Sequence, residues 1–224
     1  MQAKPFRTPS IQDRLIGELD RALNNIFCEQ PSSRPYPPAA DTAASDDHQP
    51  LSEMTAEQKR QAAGLMRVNH AGEMAAQALY QGQSLTARDP ALSERLKYAS
   101  VEESDHLNWC RRRLTELGEK PSILDPFWYA GSFAIGVTAG IAGDRWNLGF
   151  LAETEHQVVR HLDNHLQHLP AEDSRSRAIV TQMKIDEQGH AELAENLGAA
   201  ELPQPVKQFM QLTSKVMTNL ASRI

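Results

Sequence analysis

An all-α fold built on a four-helix bundle is what this sequence predicts, and three observations carry the prediction. Between about residues 55 and 197, apolar side chains recur at the three- and four-residue spacing of one helix face. Glu103 with His106 and Glu187 with His190 are Glu-x-x-His pairs, neighbours one turn apart on such a face. Each pair has a lone glutamate upstream at nearly the same distance: Glu73 is 30 residues before Glu103, and Glu155 is 32 before Glu187. Near the two midpoints stand Asp89-Pro90 and Pro170-Ala171, where proline and the residue before it resist a helix interior. At about 1.5 Å of rise per residue, equal runs out and back return the second carboxylate to the depth of the first. Two helical hairpins therefore bring six potential metal ligands to one level.

Taken in order, the chain opens with residues 1–28. Within them, Ile11, Leu15, Ile16, Leu19, Leu23, Ile26 and Phe27 recur at helical spacing behind Ser10, a candidate N-cap. Residues 29–52 are dense in Pro, Ser, Ala and Asp, too polar to hold a fold, and read as a flexible linker. Residues 53–224 form the main domain. Its first helix is expected to start at Thr55, where TAEQ has the pattern of a capping box, and bundle helices follow at about 55–87, 91–117, 145–169 and 172–197. Gly118 and Gly198 supply stop signals. Between the hairpins, Pro126 to Gly143 carry no charge over 18 positions, borderline for a membrane span. The spacing of Gly136 and Gly140 instead allows close helix packing, so a buried crossover helix and a membrane-touching one both remain open. The C-terminal segment interleaves Val206, Phe209, Met210, Val216, Met217 and Leu220 with Lys207, Lys215 and Arg223, a basic amphipathic helix able to lie on a bilayer or on the core.

Composition sets the outer bounds. With 224 residues and 40% hydrophobic content, one sizeable core can be filled, and a net charge of −6 gives no basic footprint for nucleic acid. Cys28 and Cys110 are too far apart for metal-ligand spacing and too few for a disulfide scaffold. The N-terminus has no long apolar run, which argues against secretion.

Glu-x-x-His occurs a third time, at Glu153 and His156. With 17 Glu and 8 His in the chain, chance gives roughly 0.6 occurrences, so surroundings decide rather than count. Around Glu155, the residues Leu148, Leu151, Ala152, Val158, Val159 and Leu162 make an apolar stripe broken by one carboxylate. Such a group is costly to bury unless it is paired or bound to metal. Glu103 and His106 share a face with Leu96, Leu107, Cys110 and Leu114, and Glu187 and His190 with Val180, Met183, Ala191 and Ala194. Glu73 follows Met66 and precedes Ala76 and Tyr80. Glu153 and His156 lie with Arg160 and Asn164, an ordinary solvated surface.

Four glutamates and two histidines favour a pair of octahedral, oxygen-tolerant metals, iron before manganese. Glu73, Glu103 and His106 are expected on one ion, with Glu155, Glu187 and His190 on the other. This ligand pattern is that of ferritin-like di-iron bundles.

RVNHAGE at 67–73, the Glu103 and His106 pair, AGDRWNLGF at 142–150, ETE at 153–155 and DEQGH at 186–190 resemble the demethoxyubiquinol hydroxylases. Those enzymes are di-iron monooxygenases of ubiquinone biosynthesis. The likeness runs from about residue 52 to the end and reaches back to TPSIQDRLIGELDRAL. It implies a ferritin-like four-helix bundle with additional amphipathic and apolar helices, and two iron ions on the six residues named. It implies hydroxylation of a polyprenyl quinol ring with O2 and two electrons, with no catalytic residue beyond the metal ligands. It also implies peripheral attachment at the cytoplasmic face of the cell membrane, with a homo-oligomer or a lipid-binding partner protein possible. His161 matches a family histidine placed beside the metal site. Asp186 and His70 are candidates for residues just behind the ligands, where ligand histidines usually need an oxygen partner. The rival reading is a ferritin-like iron-handling protein using the same ligands without an organic substrate.

Overall fold

The computed structural model describes residues 10–28, 32–38 and 54–224. Among them are seven α-helices: α1 Ile11–Phe27, α2 Ala56–Thr86, α3 Pro90–Glu116, α4 Asp125–Ile141, α5 Asp144–His168, α6 Ser174–Asn196 and α7 Gln204–Ala221. The bundle consists of the hairpins α2/α3 and α5/α6, with α3 meeting α6 and α2 meeting α5.

Local chemistry sets the helix ends close to where the sequence placed them. Thr55 accepts from the backbone N–H of Gln58, and the Gln58 side chain reaches back to the N–H of Thr55, a reciprocal cap that starts α2. Asp89 caps α3 with Pro90 in its first turn, where the missing N–H costs nothing. Gly118 and Gly198 take the left-handed conformation, φ 78° and 94°, just past the ends of α3 and α6. Ser10 and Asp13 form the same kind of reciprocal cap on α1.

Along the bundle, two apolar layers enclose a polar one. The first contains Met66, Trp109, Cys110, Leu114, Leu162, Ile179 and Met183. The second contains Ala76, Tyr80, Leu92, Leu96, Leu148, Leu151 and Ala194. On each bundle helix the glutamates and histidines singled out above fall between these two sets. The apolar layers hold the helices in register while shielding the charges from water on both sides.

The uncharged stretch forms α4, which packs along α2. A Cβ on Gly82, Gly136 or Gly140 would collide with Phe133, Leu79 or Thr86 across that interface, so the two backbones meet at glycine distance. Phe127 and Ile141 remain exposed on the opposite face. Among the described residues, no helix is long and apolar enough to cross a membrane. The crossover-helix expectation thus describes one face of α4, and the other stays bare.

Helix α1 rests on α2 and α4. Gln81 donates to the Glu18 carbonyl at 3.1 Å, Asn25 donates to the Tyr129 hydroxyl at 3.4 Å, and Ala22 and Ile26 pack beside Met74 and Tyr129. Ile16, Leu19, Leu23 and Phe27 point to solvent. Within the stretch expected to be a linker, residues 32–38 are docked on α3 and α6 by contacts described below; 29–31 and 39–53 lie outside the described residues.

Candidate metal centre

All six ligand candidates converge in the polar layer. Glu73, Glu103, His106 and Glu187 form one group able to hold a metal ion, and Glu155, Glu187 and His190 form a second. The four glutamates and His106 are buried. His106 Nδ1 lies 3.0 Å from Glu103 Oε2, 3.1 Å from Glu187 Oε1 and 3.4 Å from Glu73 Oε2. His190 Nδ1 lies 3.1 Å from Glu187 Oε2 and 3.4 Å from Glu103 Oε1. Glu103 and Glu187 therefore each face both histidines, one oxygen apiece, whereas Glu73 and Glu155 stand at the two sides. Glu187 belongs to both groups, one carboxylate common to the two triads that the spacing assigns.

Electrostatics shows what the cluster lacks. Burial, reinforced by the charge of Glu187, pushes the Glu73 and Glu155 carboxyls well above the usual carboxylate range. For Glu103 burial acts the same way, but hydrogen bonds to His106 and His190 outweigh it and hold the carboxyl low. Burial opposes charge on both imidazoles, yet their carboxylate partners raise His106 well above its ordinary value and push His190 up to about 12. Burial thus favours the protonated forms of Glu73 and Glu155, and Glu155 Oε1 has no hydrogen-bond partner. Two divalent cations in place of those protons would satisfy the same oxygens and leave both imidazoles neutral on Nδ1. The donor set therefore fits a pair of hard or borderline metals.

The outer nitrogens of the histidines are also accounted for. His106 Nε2 lies 2.9 Å from Asp186 Oδ2, the oxygen partner expected from the sequence. His190 Nε2 lies 3.1 Å from Glu102 Oε2, which the sequence reading missed. A signal was present: an acidic residue directly precedes the ligand glutamate in both Glu102-Glu103 and Asp186-Glu187. Each supports the histidine of the opposite hairpin. His70 instead lies 3.0 Å from Asp125 Oδ2 at the start of α4 and takes no part in the cluster. His156 pairs with Glu195 at the surface, as expected. Glu153 is less solvated than expected, because Gln157, Arg160 and Lys207 of α7 close around it, but it too stays outside both metal groups.

A cavity of about 510 Å³ leads to this layer between α2, α4, α5 and α7. Its walls include Leu79, Trp128, Ile135, Phe150, Val158 and Met217, its rim Phe127, Leu212 and Val216, and Glu73, Glu155 and Glu187 line it where it meets the centre. His161 also lines it. The ring of His161 lies tilted by 58° against that of His165 with centroids 3.9 Å apart, its Nε2 has no hydrogen-bond partner, and burial lowers its pKa to about 4.

Comparisons with known proteins give the chain's relatives. Residues 60–221 match the family model described as ubiquinone biosynthesis protein COQ7. The chain is 55% identical over 212 residues to a Chromobacterium violaceum protein named 3-demethoxyubiquinol 3-hydroxylase, covering 95% of this chain and 99% of that one. Proteins of the same name from Dechloromonas aromatica and Xanthomonas oryzae pv. oryzae are 54% and 51% identical, covering 94% and 100% of this chain and 98% and 99% of theirs.

Proposed function

The chain belongs to the family of the ubiquinone biosynthesis protein COQ7, and on that premise we propose that it is a 3-demethoxyubiquinol 3-hydroxylase with a di-iron centre. The observation that carries this reading is the apolar cavity that ends on Glu73, Glu155 and Glu187. An iron-handling protein needs the carboxylates but has no use for a greasy chamber of ligand size in front of them.

In this reading Glu73, Glu103, His106, Glu155, Glu187 and His190 would hold the two irons, with the Nδ1 atoms of both histidines and the oxygens of Glu103 and Glu187 turned toward one another at the centre. When bound, the iron pair supplies two-electron redox chemistry toward O2 that no side chain of the chain can perform. The chain's own residues do the rest. The cavity walls hold the quinol ring against the carboxylate layer and keep bulk water from it. His161 Nε2 and Asn69 Oδ1, both buried without a partner, are placed to hydrogen-bond the ring oxygens, and Thr154 and Gln157 line the same wall. The polyprenyl tail leaves between α4 and α7, past Phe127, Leu212 and Val216. Those exposed apolar side chains, with Phe209 and the bare face of α1, rest on the cytoplasmic face of the membrane as a peripheral attachment.

The test is a quinone profile of cells lacking the gene. Accumulated 3-demethoxyubiquinol, cleared by the intact gene but not by Glu187→Ala, is the expected result. A normal profile in cells with no second hydroxylase would contradict the proposal.

A further inference from the structure

The segment before the bundle is built into the centre. Asp105, buried on α3, accepts from Ser32 Oγ at 2.8 Å, from the Ser33 N–H and Oγ at 2.7 Å each, and from Arg34 Nε at 3.3 Å. Tyr36 donates to Glu116 at 3.1 Å and lies under the guanidiniums of Arg112 and Arg175, while Arg175 donates to the Pro37 carbonyl at 2.7 Å. These contacts stretch residues 32–38 as a strap from α3 to α6. At its middle, Arg34 Nη2 donates to Asp186 Oδ2 at 2.7 Å, the same oxygen that faces His106 Nε2, and lies 3.2 Å from that Nε2 itself. The guanidinium also lies 4.8 Å from the centre of the Trp109 ring, which itself abuts the His106 ring at 5.3 Å. Gln182 holds the other Asp186 oxygen at 2.9 Å.

We propose that Arg34 is a positioning residue: by holding Asp186 against His106 Nε2, it fixes the imidazole with Nδ1 toward Glu73, Glu103 and Glu187. The proposal rests on the metal reading above. A histidine whose outer N–H is bound by an anchored carboxylate has one tautomer and one ring orientation, and the loss of such support typically costs about 10- to 100-fold in metal affinity. Arg34 anchors the carboxylate. A lysine here would keep the charge but lose the fork that spans Asp105 and Asp186 at once. The strap thereby makes the His106 side the tighter of the two metal positions.

The experiment is an anaerobic titration of the full-length protein with Fe(II), followed by calorimetry, with far-UV circular dichroism to confirm helical content. Arg34→Gln keeps the stem over Trp109 and should weaken one of two binding steps by about 10- to 100-fold, leaving the other unchanged. The same substitution in an Asp186→Asn background should add almost nothing, because both changes break one chain of contacts. Tyr36→Leu, which loosens the strap without removing the guanidinium, should weaken that step far less. A titration of Arg34→Gln that superimposes on wild type, a full additional loss in the Asp186→Asn background, or an equal loss in Tyr36→Leu would overturn the proposal. Wild-type protein that takes up no Fe(II) would instead bring down the metal reading beneath it.

Discussion

The two halves of the centre are near copies in sequence and unequal in their surroundings. On the α2/α3 side, His106 is fully buried, its carboxylate partner Asp186 is held by both Arg34 and Gln182, and a strap of backbone covers the outside. On the α5/α6 side, the His190 side chain is 12% exposed and its partner Glu102 is 35% exposed. Repeated hairpin spacing places the ligands, and the segments outside the hairpins decide how firmly each half is held. The His106 half is the more enclosed of the two, and the His190 half is the more exposed.

That comparison breaks most visibly at the shared carboxylates. Glu187→Ala is expected to empty both halves and abolish hydroxylation, while Glu153→Ala, two residues from Glu155 but outside the cluster, keeps two irons per chain and most activity. Iron analysis of the purified variants checks this, and equal loss in both would mean that the wrong carboxylates were assigned.

At the outer partners the halves should separate. Asp186→Asn is expected to lower iron affinity by about 10- to 100-fold, and Glu102→Gln by less, since an exposed carboxylate is already half-replaceable by water. A Glu102→Gln loss as large as that of Asp186→Asn would remove the asymmetry.

A smaller effect lies on the cavity wall of α5. Burial holds His161 at about 4, below the value of 6.5 that it has when unfolded. Between those values the unfolded chain binds more protons, so stability is fully present above about pH 6.5 and is lost as pH falls toward 4. The span corresponds to about 3 kcal/mol. Urea unfolding of metal-free protein at pH 7, 5 and 4 should show His161→Phe losing less stability than wild type over this window. Identical pH slopes would mean that the ring is not sheltered.

How much of this the sequence disclosed follows from distance along the chain. Glu103 with His106 and Glu187 with His190 are three residues apart, and equal-length helices return Glu73 and Glu155 to their level, so local geometry and counting suffice. The same holds for the caps at Ser10 and Thr55. Glu102 reaches His190 across 88 residues and Arg34 reaches Asp186 across 152, contacts that exist only once the hairpins and the strap have packed. Arg34 sits among prolines and serines whose composition reads as linker, and nothing local marks the Asp105 socket that receives it. Lys207 over Glu153 is hidden for the same reason, since the docking of α7 is tertiary. The uncharged stretch was ambiguous by hydropathy, and only the fit of Gly82, Gly136 and Gly140 shows which face of α4 meets protein.

The measurement that bears most directly on the central claim is Mössbauer spectroscopy of the intact protein loaded with iron-57 under reducing conditions and then oxidised. Glu103 and Glu187 each face both histidines, so the account predicts two irons per chain, magnetically coupled through shared carboxylates. A single iron, or two that behave as isolated ions, would contradict it.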